Sequence, residues 1–176
     1  SKARELQKHE APGLHAMVER LSSIAGIPTP KLLLVENPSP NAFAFGRTQS
    51  SSYVAVHSGL LQVLEKEEVE AVLAHEIGHI KHRDVFVMTL ASVLPVILYY
   101  VVLYFGSDRE DRGITGFLVS FAGAMIAQFL GMLLVFWLSR KRESYADTFS
   151  AYATGKPQNL MSALTKISYG ISHAKH

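Results

Sequence analysis

"LAHEIGHIKHRDV", residues 73–85, sets two histidines four positions apart with a glutamate directly after the first. It lies inside "EKEEVEAVLAHEIGHIKHRD", residues 65–84, which is acidic at its start and basic at its end, the order a helix macrodipole favours. Val69, Val72, Leu73, Ile77 and Ile80 supply one apolar face, so the stretch predicts an amphipathic helix. Residues four apart on a helix lie one above the other, and His75 and His79 can therefore direct both imidazoles at one ion. Glu76 is rotated by about 100° from His75, which lets its carboxylate approach water at that ion without ligating it. The alternative is a pair of exposed helix histidines beside a solvated glutamate.

Downstream the character changes abruptly. Val85–Phe105 and Ile114–Ser139 contain no charged residue. About 20 apolar residues cross the hydrocarbon core of a bilayer, so each run is long enough to span one. The short polar connection "GSDREDRG", residues 106–113, makes the pair a helical hairpin. Tyr99, Tyr100, Tyr104 and Trp137 lie toward the segment ends, where amphipathic rings suit the headgroup level. Lys81, His82 and Arg83 precede the first span, and Arg140, Lys141 and Arg142 follow the second, whereas Arg109 and Arg112 between the spans are balanced by Asp108, Glu110 and Asp111. Positive flanks favour the cytoplasmic side, so both polar flanks are expected there. The competing reading is two buried helices of a soluble core, which a chain of this size could hardly enclose.

Upstream, residues 11–28 place Leu14, Met17, Val18, Leu21, Ile24 and Ala25 at helical spacing before Gly26 and Pro28. "KLLLV" at 31–35, "NAFAFG" at 41–46 and "YVAVH" at 53–57 read as three strands of a small antiparallel sheet, the last two joined by the polar "RTQSSS". After the second span Leu160, Met161, Leu164, Ile167 and Ile171 form another helical stripe behind Pro157. The opening "SKARELQKHEAPGL" is polar, without a signal-peptide-like apolar core. The 176 residues suffice for one ordinary domain, 48% hydrophobic and 18% charged, with the excess concentrated between Val85 and Ser139. A net charge of +2 gives no reason to expect a nucleic-acid partner. The absence of cysteine leaves only His, Asp and Glu as metal ligands.

Catalytic zinc takes three protein ligands and keeps one position open. His9, His15, His57, His82, His173 and His176 are available by type, and His82 reads as a surface histidine because one helix face cannot easily deliver three ligands to one ion. Glu143, in "SRKRESYADTFSAYATG", is the better third candidate, on a helix emerging from the second span. Asp147, four residues on and on the same face, can accept a hydrogen bond from a ligand imidazole. Glu143 could instead pair with Arg140 or Lys141, and Asp147 could face solvent. A hairpin that leaves the membrane side and returns to it would bring Glu143 back to His75 and His79.

"NAFAFG", "SGLLQVLEKEEVEAVLAHEIGHIKHRD", two hydrophobic spans and "SRKRESYAD", in that order, resemble the HtpX-type membrane zinc metalloproteases, relatives of the CAAX prenyl protease. The likeness runs from about Pro12 to about Leu164. It implies one zinc per chain on His75, His79 and Glu143, with Glu76 as general base or acid and Asp147 behind a ligand. The runs above give a fold that is mainly α with a small antiparallel β-sheet, and to that fold the resemblance adds a zincin-like metalloprotease domain, residues 1–84, interrupted by a transmembrane hairpin, residues 85–139, and resumed in a helical part, residues 140–176. It also implies a multi-pass protein of the cell membrane whose site faces the cytoplasm, with polypeptide substrates, membrane proteins among them, and a stress-response role in quality control. Members of that family usually carry two further hydrophobic segments ahead of the matched part and more chain after it, so the chain resembles a shortened member.

Three further positions have two readings each. Arg140, three residues before Glu143, could stabilise an oxyanion or contact lipid headgroups. The "NAFAFG" strand could bind an extended substrate by strand addition or be an ordinary sheet strand. Asn41 could hold substrate backbone or cap the turn after Pro40. Two rival functions stay open: a membrane scaffold or chaperone-like binder with a structural metal, and a protease of prenylated C-termini.

Overall fold

The computed structural model describes residues 3–106 and 113–173. The polar connection between the two apolar runs, with the charge balance across Asp108–Arg112, and His176 lie outside the described residues. The described residues divide into two compact units, one within Ser1–Val85 and Arg142–His176, the other within Phe86–Lys141.

The first unit opens with strand β1 (Ala3–Glu5) and helix α1 (Pro12–Ala25). Proline at the start of α1 gives up only an N–H that a helix cannot use there. Gly26 ends the helix with φ 70°, a left-handed conformation that glycine adopts without steric cost, and its N–H meets the carbonyls of Ser22 and Ser23. Strands β2 (Lys31–Val35), β3 (Ala42–Gly46) and β4 (Ser52–His57) complete the sheet, with the short helix α2 (Ser58–Val63) after them.

The strand order is β1-β2-β4-β3. The β3–β4 hairpin is antiparallel, with Ala44 opposite Val54, and β1 is antiparallel to β2. The pair β2–β4 is parallel, with Leu33 opposite Ala55, so the sheet is mixed and not antiparallel throughout as expected from the sequence. The reason is topological. After β2 the chain skips one strand position, lays β3 at the edge and returns with β4 into the gap. Strands adjacent in sequence are therefore not all adjacent in the sheet.

Helix α3 (Lys66–Lys81) starts at a capping box. The side chain of Glu65 accepts from the Glu68 N–H, and that of Glu68 from the Glu65 N–H, satisfying two donors a helix start leaves free. Its apolar face packs into the core: Leu73, Ala74 and Ile77 are fully buried among Leu21, Leu32, Val54, Val56 and Leu60. Helix α6 (Pro157–His173) packs on α3, where Glu68 accepts from Ser162 Oγ at 2.6 Å and from Lys166 Nζ at 2.8 Å.

The second unit holds most of helix α4 (Asp84–Gly106) and the first part of α5 (Ile114–Thr154). Both helices are long and apolar enough to cross a membrane. Within this unit many of their large apolar side chains are exposed, as with Leu90 at 65% and Phe136 at 66%. The helices approach closely at Gly131, where an added Cβ would stand 2.9 Å from the Cα of Pro95. A small residue at such a crossing lets two backbones pack closely without bulky side chains.

Candidate metal centre

The candidate site lies wholly within the first unit. Helix α3 presents His75 and His79, and the last part of α5 presents Glu143 and Asp147. Close approach of these two helices depends on Gly78. A Cβ there would lie 3.0 Å from the Cα of Ala146, a fully buried residue. Glycine lowers helix propensity by about 1 kcal/mol relative to alanine, and here it makes room for a neighbouring backbone. One turn further along α5, buried Ser150 donates its hydroxyl to the Ala71 carbonyl at 2.7 Å. Lys81 Nζ lies 5.0 Å over the Phe149 ring.

His75, His79 and Glu143 each offer a ligand atom, all within 4.8 Å of one another. His75 Nε2 lies 3.0 Å from His79 Nε2 and 3.5 Å from Glu143 Oε2, and His79 Nε2 lies 3.8 Å from Glu143 Oε1. Atoms placed about 2.1 Å from a tetrahedral ion stand about 3.4 Å apart, so the three donors fit a single zinc-sized cation. The far nitrogen of each ring also meets a carboxylate. His75 Nδ1 lies 2.9 Å from Asp147 Oδ1, and His79 Nδ1 donates to Asp84 Oδ2. Each ring is thereby turned with Nε2 toward the common point.

Glu76 stands beside this group. Its Oε2 accepts the backbone N–H of Ala44, on edge strand β3, at 2.8 Å. Burial pushes the carboxyl up to about 7, against the opposing pull of His79 and the Ala44 N–H. The two imidazoles separate electrostatically. Burial, helped by the nearby His79, holds His75 below the ordinary histidine value. Burial works against His79 as well, but its bond to Asp84 and the charges of Glu76 and Glu143 raise it.

Five residues singled out in the sequence thus gather here: His75, Glu76, His79, Glu143 and Asp147. Arg140 is exposed and belongs to the other unit. Asn41 is exposed, and its backbone carbonyl accepts the His57 N–H at 2.9 Å, extending the β3–β4 pairing by one residue. His82 is exposed and stacks on Tyr145, with centroids 5.4 Å apart. Asp84, its partner Arg142 and the Ala44 N–H did not emerge from the sequence. Asp84 is five residues past His79, which on a continued helix would point it about 140° away. Instead α3 stops at Lys81, and Arg83, with φ 54°, turns the chain back. No spacing rule signals that reversal.

The family model for "Peptidase family M48" matches residues 8–176. The chain belongs to peptidase family M48. It is 49% identical over 158 residues to a "Protease HtpX homolog" of Methanothermobacter thermautotrophicus, covering 90% of this chain and 60% of that protein. It is 43% identical over 173 residues to "Protease HtpX homolog 2" of Methanosarcina mazei, covering 94% of this chain and 58% of the relative. The chain therefore spans somewhat less than two thirds of these curated relatives. Its fold is similar to the crystal structure of S. mikatae Ste24p, with a TM-score of 0.60 and 22% identity over 94% of this chain and 43% of that one.

Proposed function

We propose that the chain carries the catalytic centre of a membrane-embedded zinc-dependent endopeptidase acting on polypeptides, membrane proteins among them. The observation that carries this reading is the convergence of His75, His79 and Glu143 donors within 4.8 Å beside the half-buried carboxylate of Glu76, outside the ligand set. A purely structural metal site has no use for such a carboxylate. Membership of family M48 and the names of the relatives support the same reading.

The donor set suits zinc, which would sit on His75, His79 and Glu143 with a fourth position open. When bound there, zinc supplies a Lewis acid that polarises a peptide carbonyl and acidifies water near neutral pH. Glu76 accepts a proton from the attacking water and returns it to the leaving amine. Burial favours the protonated form of this carboxyl and the charge of a bound zinc would favour the ionised form, opposing influences that suit a group that takes and returns a proton. The Ala44 N–H fixes the carboxylate at its Oε2 end. Asp147 and Asp84 hold the ring planes, so neither imidazole has to reorient.

The two long apolar helices support residence in the cell membrane as a multi-pass protein. The basic residues Lys81, Arg83, Arg140, Lys141 and Arg142 at the roots of these helices support a cytoplasmic site. A site rooted at that surface suits quality control of damaged membrane proteins.

The test uses the chain in detergent micelles with added zinc and casein as substrate. Glu76→Gln is expected to lose cleavage by about 10²–10⁴-fold while keeping its zinc. His79→Ala and Glu143→Ala are expected to lose zinc by elemental analysis. Undiminished cleavage by Glu76→Gln, or a wild-type chain that holds no zinc, would overturn the proposal.

A further inference from the structure

The carboxylate of Asp84 is 4% exposed, and no water-facing role accounts for it. One of its oxygens, Oδ2, accepts from His79 Nδ1 and lies 3.0 Å from Arg142 Nε. A buried carboxylate without partners would be strongly unfavourable, and this one is compensated from two sides. Its two partners come from the two helices that supply the metal donors. His79 is a donor on α3, and Arg142 is the residue immediately before the donor Glu143 on α5.

The backbone is shaped for this contact. Arg83 is the one non-glycine residue with positive φ among the described residues. The left-handed conformation costs an ordinary residue about 1–2 kcal/mol. That strain is tolerated at the turn that swings Asp84 back under His79, and a regular helix through residues 80–84 would avoid the strain but lose the contact.

We infer that Asp84 and Arg142 are positioning residues for the metal centre: Asp84 orients the His79 ring and, through Arg142, sets the stretch of α5 that carries Glu143. The inference rests on the metal-site reading above and extends it to two residues outside the ligand set. Asp84 keeps the proton of His79 on Nδ1, which leaves Nε2 as the donor toward the ion. The Arg142 guanidinium neutralises Asp84 and ties α5 to the end of α3. One carboxylate thus registers two ligands contributed by separate segments of the chain.

The test measures zinc affinity by competition with a chelating dye, with helix content followed by circular dichroism. Asp84→Asn keeps the shape but loses the charge, and is expected to weaken zinc binding about 10–100-fold with helix content unchanged. Arg142→Met is expected to weaken it less, and Arg142→Lys to recover most of that loss. In the Asp84→Asn background Arg142→Met should add little, because both act through the same carboxylate. Ser150→Ala loosens the α3–α5 contact away from the donors and serves as the control. If Asp84→Asn does not fold, Arg142→Met and its rescue by lysine carry the test alone. Wild-type affinity in Asp84→Asn or Arg142→Met overturns the inference, as does an equal loss in Ser150→Ala. A wild-type chain that binds no zinc instead removes the metal-site reading beneath it, so the two failures are distinguishable.

Discussion

Helices α3 and α4 follow one another along the chain and draw on much the same apolar residues, yet they face opposite surroundings. In α3 the apolar residues form a stripe, and Leu73 and Ile77 at its centre are completely buried. The remaining positions carry glutamates, lysines and the two candidate donor histidines. In α4 apolar residues occur on every side, and Phe86 and Tyr104 remain 62% and 74% exposed. Composition separates the two: α3 carries six charged residues and two histidines in 16 positions, α4 a single aspartate in 23. Helix α3 has protein on several sides, with Glu68 buried and Glu70, His75, Glu76, His79 and Lys81 half-buried, whereas an all-round apolar helix without a core around it needs a nonaqueous solvent.

The same substitution placed in each helix tests that contrast. Leu73→Lys would place an ammonium in the fully buried apolar core. It is expected to abolish cooperative folding of the first unit, at a cost above about 4 kcal/mol. Limited proteolysis and loss of the thermal transition in detergent would register it. Leu90→Lys, on an exposed face of α4, should leave that unit folded and still able to hold zinc. It should instead disfavour membrane insertion by about 3 kcal/mol, read as the share of chain recovered in the membrane fraction. Equal recovery of Leu90→Lys and wild type would break the comparison, because α4 would then not face lipid.

Much of this was readable beforehand, and the reasons are local. His75 and His79 share one helix face, and helical spacing alone puts them together. The apolar runs of α4 and α5 are long enough to be recognised by length. Glu143 was harder, because its approach to the imidazoles depends on how two helices far apart in the chain pack, and helical spacing led only to a candidate with an ordinary ion pair as rival. The parallel β2–β4 pairing was misread, since nothing in "KLLLV" or "YVAVH" records that β3 is placed between them in sequence but outside them in space. Asp84 was invisible for a third reason: its contact is made by one reversed backbone torsion at Arg83.

Gly78 sharpens the comparison on the α3 side. Glycine weakens a helix, and its presence one residue before His79 reflects the backbone of Ala146 against it. Gly78→Val would force at least one helix to move and should destabilise the first unit by about 1–3 kcal/mol. The more telling readout is zinc, because Glu143 stands one turn before Ala146 and moves with it. Zinc affinity should fall in Gly78→Val even at temperatures where the chain is fully folded. Wild-type affinity in the folded variant would mean that helix spacing does not set the donor geometry.

The smallest expected effect concerns pH, and it again rests on how α3 treats its polar residues. Glu68 is buried at the first turn of α3, and burial alone would raise its carboxyl above the ordinary 4.5. Hydrogen bonds from Lys166, Ser162 and the Glu65 N–H outweigh burial and hold it lower. A carboxyl held below its unfolded value stabilises the fold at pH above that value, and the contribution disappears as pH falls through the folded one. Lys166→Met removes the leading opposing partner and leaves burial less compensated, so protonation of Glu68 should begin at higher pH. The acid-unfolding midpoint of Lys166→Met, followed by circular dichroism, is therefore expected to lie above that of the wild type. Glu68→Gln, which has no proton to take up, should show a flatter dependence over about pH 3–6. Coincident acid transitions for wild type and Lys166→Met would mean that the α3–α6 contact is held by its apolar residues, with Glu68 a passenger in it.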